Sequence, residues 1–203
     1  MRFGLAQPKI WAFPKKIKQN KYKIAIWNLT ESSEELAQLA NGFSHSEFKT
    51  EKRKKEFLVS RLLVQEISQN TIITYNEFGA PELDNGKYIS ISHSKEMVAI
   101  IISEQQVGMD VEQISEKVLH LSSKFVSEKN LKNLSKEKAT LIWCCKEAVF
   151  KWHQKGGVDF IKDIIIPEFS VKEKGIITIQ FKNKELNLNY QKINNHYLVY
   201  VCK

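Results

Sequence analysis

Three strand-like runs packed into residues 88–112 constrain this chain more than any other stretch. Tyr88 to Ser92 (YISIS) alternates polar and apolar, the period of a half-buried strand with Ile89 and Ile91 inward. Met97 to Ile102 (MVAIII) is continuously apolar, as a strand covered on both faces is. The His93–Glu96 turn joins them into an antiparallel hairpin with a four-residue connection. Gln105 to Glu112 alternates again: Val107, Met109 and Val111 face one way, and Gly108, Asp110 and Glu112 the other.

Helical patterns flank this centre. Residues 22–29 read as a buried strand. Thr30 to Leu39 follows as a helix that Thr30 or Ser32 can cap, with Glu31, Glu34 and Glu35 at its positive end. Ser46 to Gln69 forms a second helix with Phe57, Leu58, Leu62, Leu63 and Ile67 inward. Its first part is basic: Lys49, Lys52, Arg53, Lys54 and Lys55. Residues 71–75 are strand-like, and FGAP and LDNGK are turns. Residues 115–138 hold a short helix or two and a mobile loop. Glu137 to Gln154 is a strong helix, stopped by Gly156 and Gly157. Four strand-like runs fill 163–202. The order strand, helix, strands occurs twice. It predicts an α+β protein of two similar halves, an N-terminal one over 1–104 and a C-terminal one over 105–203.

Composition narrows the function classes. Of 203 residues, 42% are hydrophobic and 27% charged, which is globular rather than disordered. The net charge of +8 and pI of about 9.2 favour a polyanionic partner: nucleic acid, a phosphorylated ligand, an acidic membrane or an acidic protein. A lysine-coated surface with no such partner has the same composition. Cys144, Cys145 and Cys202 make neither a disulfide framework nor a zinc spacing, which fits a reducing compartment. The basic start is broken by Pro8 and Pro14 and carries no secretory signal pattern. Met97 to Ile102 is too short to span a bilayer. The expectation is a cytoplasmic protein.

The chemistry lies in a split acidic set. Asp110 and Glu112 share one face of a strand. Glu147, in WCCKEAVFK, comes from a helix and could close the arrangement around a hard cation that also takes phosphate oxygens. Helical phase puts Leu141, Ile142, Cys145, Ala148, Val149 and Trp152 on a core arc, with Glu147 and Lys151 opposite, beside Thr140, Trp143 and Cys144. Taken alone, Glu147 and Lys151 read as an exposed i, i+4 pair worth about 0.3–0.5 kcal/mol. Trp143 and Phe150 lie off the core arc, so this side meets something as well. Asp110 and Glu112 could face solvent, but Asp is a poor strand former, and Gly108 permits close approach of a ligand or backbone. Ser92, His93 and Ser94 offer several donors in a small space, as an anionic phosphate requires.

Four segments occur in order: Phe78-Gly79-Ala80-Pro81, Ile89 to Ser94, Val107 to Glu112, and Trp143 to Lys151. Together they resemble the Sfp-type 4′-phosphopantetheinyl transferases. The resemblance implies two halves related by a pseudo-twofold, with the site in the cleft between them and both halves in one monomer. It implies transfer of phosphopantetheine from coenzyme A to a serine of an apo acyl or peptidyl carrier protein, releasing 3′,5′-ADP. Asp110, Glu112 and Glu147 would hold Mg2+. Ser92 and His93 would contact the nucleotide phosphates, the 3′-phosphate first. Lys146 and Lys151 would contact the phosphates being split, and Arg53 and Arg61 would be the N-terminal contacts to coenzyme A. Glu112, or a water beside it, is the candidate proton acceptor. Two positions depart from the pattern. Ala80 stands where many relatives carry lysine, a contact that Lys54 or Lys87 could replace. Asn130, with Glu128 two residues earlier, stands where some relatives carry a glutamate proposed as the base. Two other readings compete: a coenzyme A-binding homologue without turnover, and a basic nucleic-acid-binding module. No nucleic-acid motif appears, and the acidic triad is retained.

Overall fold

The computed structural model describes residues 15–18, 21–40, 43, 48–128, 131–132 and 134–203. Pro8, Pro14, Ser46 and Asn130 lie outside the described residues.

Among the described residues are two antiparallel sheets and four helices, so the α+β expectation is met. The first sheet has six strands: β1 (Lys15–Lys18), β2 (Tyr22–Asn28), β3 (Ile73–Tyr75), β4 (Pro81–Leu83), β5 (Tyr88–His93) and β6 (Met97–Ser103). Their spatial order is β1-β2-β6-β5-β4-β3. The second has five: β7 (Val107–Gln113), β8 (Ile164–Ile165), β9 (Lys174–Phe181), β10 (Lys184–Ile193) and β11 (His196–Cys202). Their order is β7-β11-β10-β9-β8. Between β2 and β3 run α1 (Ser33–Leu39) and α2 (Glu51–Ile67); between β7 and β8 run α3 (Glu116–His120), a 3₁₀ turn at Ser122–Lys124, and α4 (Lys136–His153).

Each long helix covers one sheet. Leu58, Val59, Leu63, Val64 and Ile67 of α2 pack on Ala25, Trp27, Ile89, Val98, Ile100 and Ile102. Leu141, Cys145, Ala148, Val149 and Trp152 of α4 pack on Ile177, Leu186, Tyr197, Val199 and Val201. The opposite faces of the two sheets meet each other: Ile24, Ile26, Met97, Ala99 and Ile101 lie against Val107, Met109, Val111, Leu198 and Tyr200. This explains why β6 is apolar from Met97 to Ile102 and buried throughout. It serves two cores at once.

Element ends show which local signals acted. Ser32, not Thr30, caps α1 through a reciprocal capping box with Glu35. The second helix begins at Glu51 with Thr50 as its cap, five residues later than Ser46, because Thr50 satisfies the Arg53 N–H. The last helix ends before the glycines: Gln154 is already left-handed, φ 58°. Strands β1 and β4 were not legible; both are short, β1 at the sheet edge and β4 between β3 and β5. The β5–β6 connection is three residues, Ser94 to Glu96.

The one-sided reading of β5 needs correction. Ile89 and Ile91 do join the α2 core, but Ser90 and Ser92 are each 2% exposed. Ser90 Oγ accepts from Met109 N at 2.9 Å, and Ser92 Oγ accepts from Val111 N at 3.1 Å. The two hydroxyls thus stitch β5 to the backbone of β7, where polar side chains replace a strand ladder.

Candidate functional site

β7 delivers Asp110 beneath α4 because Gly108 lets the strand touch the helix. A Cβ on Gly108 would lie 2.1 Å from the Ala148 carbonyl oxygen and 2.4 Å from Trp152 N. The close approach this glycine permits is therefore to a helix backbone. Asp110, two residues on, meets Lys151 of α4 at 2.6 Å. Ser92 Oγ donates to the same Asp110 oxygen at 2.7 Å and accepts from Lys151 Nζ at 2.9 Å. With the Val111 N–H added, that hydroxyl has one donor and two acceptor positions filled, its full capacity. Ser92 is thus an organiser of Asp110 and Lys151 in this arrangement, rather than a free phosphate donor.

The acids around this pair repel one another. Burial, then the charge of Asp110, pushes Glu112 up to about 7, even though Trp143 Nε1 donates to its carboxylate at 3.0 Å. Burial and Asp110 also push Glu147 up to about 7. Burial works against the Lys151 ammonium, but Asp110 and then Glu147 outweigh it and hold it above the usual lysine range. Asp110 Oδ2 is buried without a hydrogen-bond partner. Three carboxyls with one cation and an orphaned oxygen fit a hard divalent ion by donor chemistry. Among the described residues, no three His, Cys, Asp or Glu side chains are already closed around one point.

Beside the cluster opens a cavity of about 510 Å³. Residues of both sheets' partner helices line it: Arg53 and Arg61 of α2, and Glu147, Phe150 and Lys151 of α4, with His93 at the end of β5 and Gly79-Ala80-Pro81 at a turn. Arg61 lies 3.7 Å over the Phe57 ring and donates to Ser60 Oγ at 3.0 Å and Tyr75 Oη at 3.4 Å. Arg53 sits 3.3 Å from Glu56. Phe150, off the core arc, meets the cavity; Trp143 packs on Phe125 and Phe160 and bonds Glu112.

The structure brings Asp110, Glu147, Lys151, Arg53, Arg61 and His93 to one place and Glu112 to its edge. Lys146 goes elsewhere. It is 4% exposed and donates to the carbonyls of Ile164, at 2.6 Å, and Phe160. Burial pushes its ammonium down to about 8. Of the two lysines offered in place of the one missing at Ala80, Lys87 pairs with Glu104 at 2.8 Å, and neither it nor Lys54 lines the cavity; Lys155 does. Sequence reasoning missed Glu56, whose signal was a lone acid three and four residues after Arg53 and Lys52.

Residues 106–202 match the model of the 4′-phosphopantetheinyl transferase superfamily. The resemblance to that superfamily is borne out. The 4′-phosphopantetheinyl transferase gsp of Aneurinibacillus migulanus is 31% identical over 111 residues, covering 50% of this chain and 47% of the relative. The chain thus matches about half the length of this curated relative. The family match contains Asp110, Glu112, Glu147 and Lys151. His93, Arg53 and Arg61 lie before it, so their place in the site rests on the cavity they line. No described helix is long and apolar enough to cross a membrane.

Proposed function

We propose that this protein transfers 4′-phosphopantetheine from coenzyme A to a serine of an apo acyl or peptidyl carrier protein, releasing 3′,5′-ADP. The observation that carries this is the Asp110–Lys151–Ser92 cluster with Glu147, opening onto a cavity walled by Arg53, Arg61 and His93. Acid and base are arranged side by side, as a pyrophosphate and its counter-ion need. Arg53, Arg61 and His93 bind the nucleotide phosphates and hold the pyrophosphate toward α4. The serine oxygen forms a bond to the β-phosphorus, and the bond from that phosphorus to the oxygen of 3′,5′-ADP breaks. Lys151 meets the charge left on the departing phosphate. The serine proton passes to Glu112 or to a water beside it. Asp110, Glu112 and Glu147 would hold Mg2+, which when bound supplies charge neutralisation at the pyrophosphate oxygens.

The test is incubation with coenzyme A, Mg2+ and an apo carrier protein, read by mass. A carrier heavier by one phosphopantetheine supports the reading, and no gain across fatty-acid, polyketide and peptide-synthesis carriers sinks it. Asp110→Ala and Glu147→Ala each abolish the gain while circular dichroism stays native. If either keeps near-full turnover, the acidic set has been misassigned. A coenzyme A-binding homologue without turnover would bind the nucleotide but leave every carrier unmodified.

A further inference from the structure

Outside the Asp110, Glu112 and Glu147 set, one group in the cavity has the wrong sign for an anion site. Glu56 of α2 lines it with a side chain only 4% exposed. Its Oε2 lies 3.3 Å from Arg53 Nη1, and its Oε1 lies 3.1 Å from His93 Nδ1 and 3.5 Å from Lys52 Nζ. A buried carboxylate costs free energy unless its partners compensate it. Here those partners come from two elements, α2 and the end of β5. The compensation is incomplete, because Oε1 is buried without an aligned hydrogen bond. Contacts of this kind are long in a free site and tighten when the ligand arrives.

We propose that Glu56 is a positioning residue, which holds the His93 ring by its Nδ1 edge and the Arg53 guanidinium by one arm so that the guanidinium and, once the ring is protonated, its Nε2–H face the 3′-phosphate of coenzyme A. The inference rests on the proposed reading for the identity of the ligand. The geometry supports it directly: one carboxylate contacts the Arg53 guanidinium and the His93 ring at once, on separate oxygens. A carboxylate in that place also limits repulsion between Arg53 and Lys52.

Positioning and plain electrostatics predict opposite signs. If only charge mattered, removing an anion from the wall would tighten phosphate binding. If Glu56 positions, removing it loosens binding although the wall becomes more positive. The experiment is calorimetric titration of the wild type, Glu56→Gln and Glu56→Ala with coenzyme A and with dephospho-coenzyme A, which lacks the 3′-phosphate. Glu56→Ala should weaken coenzyme A by about tenfold, the scale of one lost charge-assisted hydrogen bond. Dephospho-coenzyme A should change little, so the ratio of the two affinities narrows. Glu56→Gln, which keeps the shape and one acceptor oxygen, should recover part of the loss. Tighter binding in either variant overturns the proposal. So does an equal loss for both nucleotides in a variant that still melts cooperatively, since that marks a merely structural residue. Binding is read without turnover, so a wild type that binds coenzyme A but modifies no carrier defeats the proposed reaction and leaves the Glu56 test intact.

Discussion

Lys146 and Lys151 stand five residues apart on one helix and do opposite things. Lys151 is paired with Asp110 and held above the usual lysine range, whereas Lys146 donates to two carbonyls and burial draws it down to about 8. Both were expected at the phosphates. Helical phase already separates them, since Glu147 and Lys151 differ by 40° of rotation and Glu147 and Lys146 by 100°; a motif read as a string hides that difference. The consequence for stability has a definite sign. The native state depresses the Lys146 pKa below its unfolded value of 10.5. Its contribution is therefore fully present above 10.5 and lost as pH falls toward 8. Relative to Lys146→Met, the wild type should gain unfolding free energy between pH 8 and pH 10.5, measured by urea titration at several pH values. A parallel pair of curves would mean that the ammonium is not desolvated. The same variant should leave the affinity for coenzyme A within about twofold, against a loss of about 1.5–3 kcal/mol if Lys146 grips a phosphate.

Among the elements, the contact of β7 with α4 decides whether there is a site. Gly108 is what allows it. Gly108→Ala places a methyl inside the Ala148 carbonyl and the Trp152 amide, and both are backbone, which cannot swing aside. The cost should be about 1–3 kcal/mol or more, seen as a lower Tm. Turnover should fall by more than the melting shift explains, because Asp110 and Lys151 are drawn apart. Unchanged activity at a lowered Tm would show the cluster tolerates a wider gap. The alternation of Val107, Met109 and Val111 was legible because one face of that strand meets a core. The roles of Ser90 and Ser92 were not, because a serine facing a neighbouring strand's backbone looks in the sequence like a serine facing water. Glu56 was illegible for a related reason: its partner His93 lies 37 residues away and is brought near only by the packing of α2 on β5.

At the scale of the whole molecule, charge and connectivity make separate predictions. Lys124 is exposed on the 3₁₀ turn after α3, and we propose that an acidic carrier docks beside it. Lys124→Glu should raise the carrier KM, with the effect shrinking as salt is added; identical kinetics would move the docking face elsewhere. Connectivity turns on the core between the sheets. Ile24, Met97 and Ile101 bury against Met109, Leu198 and Tyr200, and the Tyr22 and Tyr200 hydroxyls lie 2.7 Å apart across the same seam. The chain crosses this seam at Glu104 and Gln105, both exposed. Opened there, the molecule becomes two fragments, each missing one wall of a core. Co-expressed, they should reassemble, and folding becomes a bimolecular event. Activity at low concentration should then rise with the square of the fragment concentration, and the melting temperature should fall on dilution. A site shared by two fragments in this way would report their encounter, and its half-dilution point would measure how strongly the buried seam alone holds the halves together.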